Sequence, residues 1–110
     1  RRLPGTPDMV LPRYLAALFV HGCFWHRHAG CRYATTPTSN AEFWQTKFDV
    51  NVARDARKAA DLTEAGWRVG IVWECQLRTA EGVQAVADRL ARWLASSRRR
   101  IELPARRTRR

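Results

Sequence analysis

YLAALFVHGCFWHRHAGC, residues 14–31, changes character in its middle. Tyr14 to His21 is an unbroken apolar run, the pattern of a strand buried on both faces. From His21 to Cys31 the chain then places three His and two Cys within eleven residues, and it has no other His. Upstream, Asp8 to Leu11 reads as a short strand ended by Pro12. Downstream, residues 22–38 show no period and read as loop. Ser39-Asn40-Ala41-Glu42 matches a capping box, with Ser39 as N-cap and Glu42 reaching back. That predicts a helix over about 40–65, stopped by Gly66 at the C′ position. Its apolar stripe is Phe43, Phe48, Val52, Ala56, Ala59 and Leu62. Trp67 to Trp73 is rich in β-formers and predicts a strand. Thr79 caps a last helix to about Ser96, with Val83, Val86, Leu90 and Trp93 on one face. The order β-β-loop-α-β-α predicts an α/β fold, a small mixed β-sheet flanked by helices.

A chain of 110 residues suits one domain. Its 45% hydrophobic content excludes wholesale disorder. No apolar run approaches the roughly 18 residues of a membrane span, and there is no signal peptide, so a soluble intracellular protein is expected. The 20 Lys plus Arg against 10 Asp plus Glu give a net charge of +10. Residues 98–110 (RRRIELPARRTRR) hold seven Arg and one Glu. This predicts a folded domain over 1–97 and an Arg-rich disordered tail over 98–110, serving to bind a polyanion or simply to solubilise. A core of this size is modest, and a metal staple would help it.

Cys23, His28 and Cys31 offer three soft or borderline ligands from one loop, and Cys75 is the natural fourth. A closed Cys₃His set suits structural, tetrahedral Zn²⁺. The spacing is not a common finger signature, so a Cys23–Cys31 disulfide or plain buried thiols are the alternatives, disfavoured by an intracellular setting. His26 then remains mid-loop beside the metal site, where a neutral imidazole can act as a general base. His21 ends a buried strand and reads as structural. Asp8, at a strand edge, can hold Mg²⁺, although Pro-Asp is also a frequent turn dipeptide. Phe24 and Trp25 either pack under the loop or form a wedge that enters between bases.

Leu3-Pro4-Gly5 with Pro7-Asp8, Phe19 to His26 (FVHGCFWH), Glu42-Phe43-Trp44 with Lys47, Asn51 and Arg54-Asp55, Gly66 to Val69, and Val72 to Cys75 (VWEC) together resemble the very short patch repair (Vsr) endonuclease family. These bacterial enzymes nick DNA at T:G mismatches left by deamination of 5-methylcytosine. The resemblance implies a restriction-endonuclease-like core with structural zinc on Cys23, His28, Cys31 and Cys75. It implies Mg²⁺ at the Asp8 carboxylate and the Val20 carbonyl, catalysis by His26, and support from His21 and Asp55. It also implies intercalation by Phe24 and Trp25, and reading of the mismatched pair by Lys47 and Asn51. Double-stranded DNA with a T:G mismatch is the implied substrate, met by a monomer at the bacterial nucleoid in the cytoplasm, with mismatch-repair proteins as candidate partners and no membrane. A sequence that opens just ahead of the Pro-Asp strand is expected to lack the family's helical N-terminal segment, which grips the DNA. Weak nicking by residues 1–110 alone is therefore the expectation, and a non-catalytic zinc-stabilised DNA-binding relic is the alternative reading.

Overall fold

The computed structural model describes residues 5–105. It contains β1 (Met9–Leu11), β2 (Ala16–His21), α1 (Ala41–Glu64), β3 (Arg68–Trp73), α2 (Ala80–Leu94) and β4 (Arg100–Leu103), with single 3₁₀ turns at Pro12–Tyr14 and Glu74–Leu77. The four strands form one mixed sheet in the order β1-β2-β3-β4. β1 runs antiparallel to β2, with Met9 opposite Leu18. β2 and β3 run parallel from Ala16–Arg68 to His21–Trp73, and β4 joins parallel to β3. No helix among the described residues is long and apolar enough to cross a membrane.

Alternation along the strands divides the core into two layers. Ala17, Phe19, Val69, Ile71 and Trp73 face α1, packing on Ala59 and Leu62. Ala16, Leu18, Val72, Ile101 and Leu103 face the other way, onto Val86 and Trp93 of α2. The period of two explains the unbroken apolar run of β2: both faces are covered by a helix. Gly70 makes room for α2, since a Cβ there would lie 2.5 Å from Leu18 and 3.4 Å from the Trp93 ring.

The helix ends follow the expected chemistry in part. The Thr79 hydroxyl accepts from the Gly82 N–H at 3.0 Å, capping α2. Gly66 (φ +94°) closes α1, with Gly66 N–H donating to Thr63 and Trp67 N–H to Leu62, the two bonds of a Schellman motif. The capping box does not form. Asn40, at φ 56°, is the N-cap and makes no side-chain cap bond. The chain enters α1 through a left-handed residue, which Asn tolerates better than Ser. This leaves Ser39 outside the helix. Of the predicted α1 stripe, Phe48, Ala59 and Leu62 are buried, whereas Phe43, Val52 and Ala56 are exposed. In α2, Val83 is likewise exposed, while Val86 and Trp93 are buried.

The expectation of disorder across 98–110 fails at Arg100–Leu103, which is β4. Its burial pattern places Ile101 and Leu103 in the α2 layer while the Arg side chains stay outside. Two apolar residues suffice because β3 supplies the hydrogen bonds of a parallel edge. Arg68 fixes this region: its guanidinium donates to the carbonyls of Trp93 (2.6 Å), Leu94 (3.3 Å), Ser96 (3.0 Å) and Arg98 (3.0 Å). It therefore caps the C-terminus of α2, where carbonyls lack helical partners and a cation is favoured. Residues 106–110 of the expected tail lie outside the described residues.

Candidate functional site

Because β2 and β3 are parallel and in register at His21–Trp73, both strands release their chains at the same end of the sheet. The loop after β2 and the turn after β3 meet there. Within the loop, His28 N–H donates to the Cys23 carbonyl and Cys31 N–H to the His28 carbonyl, which folds the three residues onto one side. Cys75 approaches from the β3 side. The four donor atoms of Cys23, His28, Cys31 and Cys75 all lie within 4.8 Å of one another. His28 Nδ1 is 3.7 Å from the Cys23 sulfur and 3.6 Å from the Cys75 sulfur. A tetrahedral centre with metal–sulfur bonds of about 2.3 Å and metal–nitrogen bonds of about 2.0 Å separates those ligands by about 3.5 Å. The set therefore fits a tetrahedral divalent ion. No disulfide joins the cysteines.

The electrostatics agree with that fit. Burial pushes the Cys23 thiol up to about 12, so its thiolate is the stable form only beside a cation. For Cys31, burial is outweighed by hydrogen bonds from the Tyr33 backbone and the Cys23 and Cys75 thiols, and the net shift is downward. Burial also lowers His28, favouring the neutral imidazole that ligates metals. His28 stacks on Trp73 at 4.4 Å and 7°, and Trp73 Nε1–H donates to Glu102 at 2.8 Å. The centre is thus braced by β3 and β4.

A second cluster lies beside it. His26 Nδ1 meets Asp55 Oδ2 at 2.5 Å, which leaves Nε2 of the same ring available. His21 stacks on His26 at 4.1 Å and 7°. Burial and then the neighbouring His26 lower His21 to about 4, against the opposing pull of the Asp55 and Asp8 carboxylates. His21 is therefore a neutral, buried platform under the His26 ring. Asp8 sits at the edge of β2, where its Oδ2 accepts the Val20 N–H at 2.8 Å. The contact runs through the Val20 amide, and the carboxylate is exposed. An exposed carboxylate of this kind is compatible with a hydrated divalent ion, which keeps several waters and needs only one or two protein carboxylates.

One stripe of α1, formed by Trp44, Phe48, Asn51 and Asp55 at helical spacing, positions the loop. Asp55 holds His26, and Asn51 donates to the Trp25 carbonyl at 3.2 Å. Phe24 packs edge-on to Phe48 with centroids 5.2 Å apart, and Trp25 leans on Trp44 at 5.8 Å. The two predicted wedge residues thus differ: Phe24 is half-buried, whereas Trp25 is 46% exposed. Phe43, 56% exposed, extends the aromatic surface through Trp44. Lys47 is exposed on α1, one turn before Asn51.

Arg27 was not legible as a functional residue. It adopts φ 56° and lays its guanidinium 3.9 Å over Phe48. From there it donates to the carbonyls of Phe24 (3.1 Å), Ala34 (3.1 Å) and Thr35 (2.8 Å) and to the Thr36 hydroxyl (2.9 Å). Its partners come from a stretch with no period, so no spacing announces them. Arg27→Lys keeps the charge but loses the planar fork. We expect it to destabilise the protein by about 1–3 kcal/mol, the cost of leaving partly buried carbonyls unpaired. Chemical denaturation measures this, and an unchanged midpoint would refute the role.

A family model described as DNA mismatch endonuclease Vsr matches residues 1–32. The chain is 51% identical over 83 residues to the type II nicking enzyme V.XorIIP of Xanthomonas oryzae, covering 76% of this chain and 60% of that protein. It is 47% identical over 94 residues to the DNA mismatch endonuclease Vsr of Escherichia coli, covering 84% of this chain and 60% of that protein. With the type II nicking enzyme V.NmeAIP of Neisseria meningitidis it shares 38% identity over 92 residues, covering 84% of this chain and 65% of that protein. The chain thus spans less than two thirds of the length of these relatives.

Proposed function

The chain belongs to the family of the DNA mismatch endonuclease Vsr, and from that premise we propose that it is an endodeoxyribonuclease that nicks one strand of duplex DNA at T:G mismatches. On this reading the sheet is a restriction-endonuclease-like core, the Cys₃His centre holds structural Zn²⁺, and Asp8 with Val20 holds Mg²⁺. The observation that carries the catalytic reading is the His26–Asp55 pair, anchored through Nδ1 and stacked on neutral His21.

Asp55 fixes the tautomer and orientation of His26, the role an orienting carboxylate plays toward a catalytic imidazole. His26 Nε2 takes the proton of the attacking water as its oxygen bonds to phosphorus. The P–O3′ bond breaks, and the departing 3′-oxygen takes a proton from solvent water, leaving a 5′-phosphate and a 3′-hydroxyl. The neutral state of His21 spares His26 a second positive charge when it becomes imidazolium. Asp8 contributes the charge that retains Mg²⁺. When bound, that ion supplies Lewis-acid polarisation of the phosphate and stabilises the leaving oxygen. DNA contacts by Phe24, Trp25, Lys47 and Asn51 belong to the same reading. Asn51 acts first on the loop backbone, and Phe24 supports the exposed Trp25.

The test is single-turnover nicking of a labelled T:G duplex with Mg²⁺, with a matched duplex as control. Strand cleavage at the mismatch supports the proposal. Tight binding without cleavage, under all metal conditions, would leave a DNA-binding module instead. The division between the two aromatics gives a separate expectation. Trp25→Ala lowers the T:G over matched preference with little change in melting, because unstacking is cheapest at a weakened pair. Phe24→Ala lowers the melting temperature first, since it removes a half-buried ring from the Phe48 contact. Equal effects of both substitutions on preference and melting would contradict this division.

A further inference from the structure

Resting on the DNA-nicking reading above, we propose that α2 and β4 form a second phosphodiester-binding site, which holds the DNA backbone on its way out of the catalytic cavity. A hollow of about 370 Å³ lies between the exposed side of α2 and the start of β4, lined by Arg89, Arg92, Arg98 and Arg100. Arg89 and Arg92 come from α2 at i, i+3 spacing, Arg98 from the connection that follows it, and Arg100 from the first position of β4. The end of α2, the connection after it and the start of β4 therefore bring four arginines to the lining of one space. Among the described residues, His26–Asp55 is the ion pair present, and none of these four side chains is held by a carboxylate. The acids nearby are engaged elsewhere through one oxygen each: Asp88 accepts from Gln84, and Glu102, the one carboxylate lining the hollow, accepts from Trp73.

Like charges are gathered here at a cost, because each raises the potential felt by the others. Arg68 makes the gathering rigid by tying the α2 C-terminus to Arg98. A guanidinium without a carboxylate, on a fixed frame, is suited to bidentate phosphate contacts. Continuity selects the ligand. The cavity of about 650 Å³ that contains His21, His26 and Asp55 is also lined by Arg100, Glu102 and Ala105, which border the arginine hollow as well. A polyanion with a phosphate at His26 can thus cross β4 at Arg100 and run onto Arg92 and Arg89. Phosphate contacts of this kind fix register and carry no base information.

The experiment measures the slope of log K against log salt for the chain on a matched duplex and on a T:G duplex. It compares the unaltered chain, the double variant Arg89→Gln with Arg92→Gln, Arg98→Gln, and Arg57→Gln as a control on the exposed side of α1. Each phosphate contact contributes about 0.9 to the slope. The double variant is expected to flatten it by about one to two units and Arg98→Gln by about one, equally on both duplexes, with unchanged thermal melting. Arg57→Gln is expected to leave it unchanged. Unaltered slopes in the double variant, or the same loss per charge in Arg57→Gln, would overturn the site. Missing T:G preference or nicking in the unaltered chain would overturn the catalytic reading while the matched-duplex slopes still decide this one. Failure of the unaltered chain to bind either duplex would overturn both.

Discussion

Asp8→Asn is expected to reduce Mg²⁺-dependent nicking of a T:G duplex to background, and His26→Ala to lower it by about 10²- to 10⁴-fold, the range of a single general base. The Asp8 substitution isolates charge from geometry. In the folded protein one carboxylate oxygen accepts the Val20 N–H, and the amide oxygen of Asn can accept the same bond. What disappears is the negative charge that retains the metal. His26 makes its anchoring contact to Asp55 and its stack to His21 at the loop, outside the two packed layers of the core. The folded signal should therefore persist in both variants. Asp55→Asn is expected to leave DNA affinity unchanged while slowing nicking by about 10²-fold or more, because the imidazole loses the partner that sets its tautomer and steadies its charge. Single-turnover rates with enzyme in excess separate these effects from binding. Nicking by Asp8→Asn or His26→Ala at the unaltered rate would sink the mechanism.

The other large effect concerns the Cys₃His centre. Cys75→Ala is expected to abolish cooperative unfolding at ordinary temperature, and the unaltered protein purified without chelator is expected to carry one Zn²⁺ per chain. Structural zinc in small domains contributes about 10–16 kcal/mol of apparent binding energy. A domain's whole stability is about 5–15 kcal/mol. A centre that joins the loop after β2 to the turn after β3 is thus comparable to the entire net stability. Cys75→His, which retains a borderline donor, should recover part of the fold and part of the metal. Elemental analysis, with circular dichroism melts before and after chelation, reads both quantities. A metal-free native protein, or a Cys75→Ala variant that melts like the parent, would refute the assignment.

The parts of the molecule that were legible in the residues are those where one local signal suffices. The apolar run before His21 forms β2, Gly66 ends α1, and Thr79 begins α2. Cys23, His28, Cys31 and Cys75 could be grouped by donor chemistry alone, and the fold brings them together. What escaped depends on partners distant in the chain. β4 has two inward apolar residues amid arginines, and it exists because β3 offers an edge. Arg68 and Arg27 look like surface cations, yet both spend their donors on backbone carbonyls of other segments. The apolar stripe of α1 is core only in part. Its first half instead supports the loop and leaves Phe43 and Val52 in solvent.

The two ends of the sheet bear on how the protein behaves in concentrated solution. A sheet edge is a row of unpaired amides and carbonyls that invites a neighbouring chain to add a strand. Here β1 spans three residues and runs directly into Pro12, while β4 spans four, follows Arg98 and Arg99, and runs into Pro104. Neither edge is long enough to template a partner, proline removes the next donor at each, and clustered positive charge repels a second copy from the β4 side. The arginines that make this edge attractive to a polyanion thus also act as gatekeepers against self-association, so neutralising them should carry a solubility penalty as well as a loss of affinity.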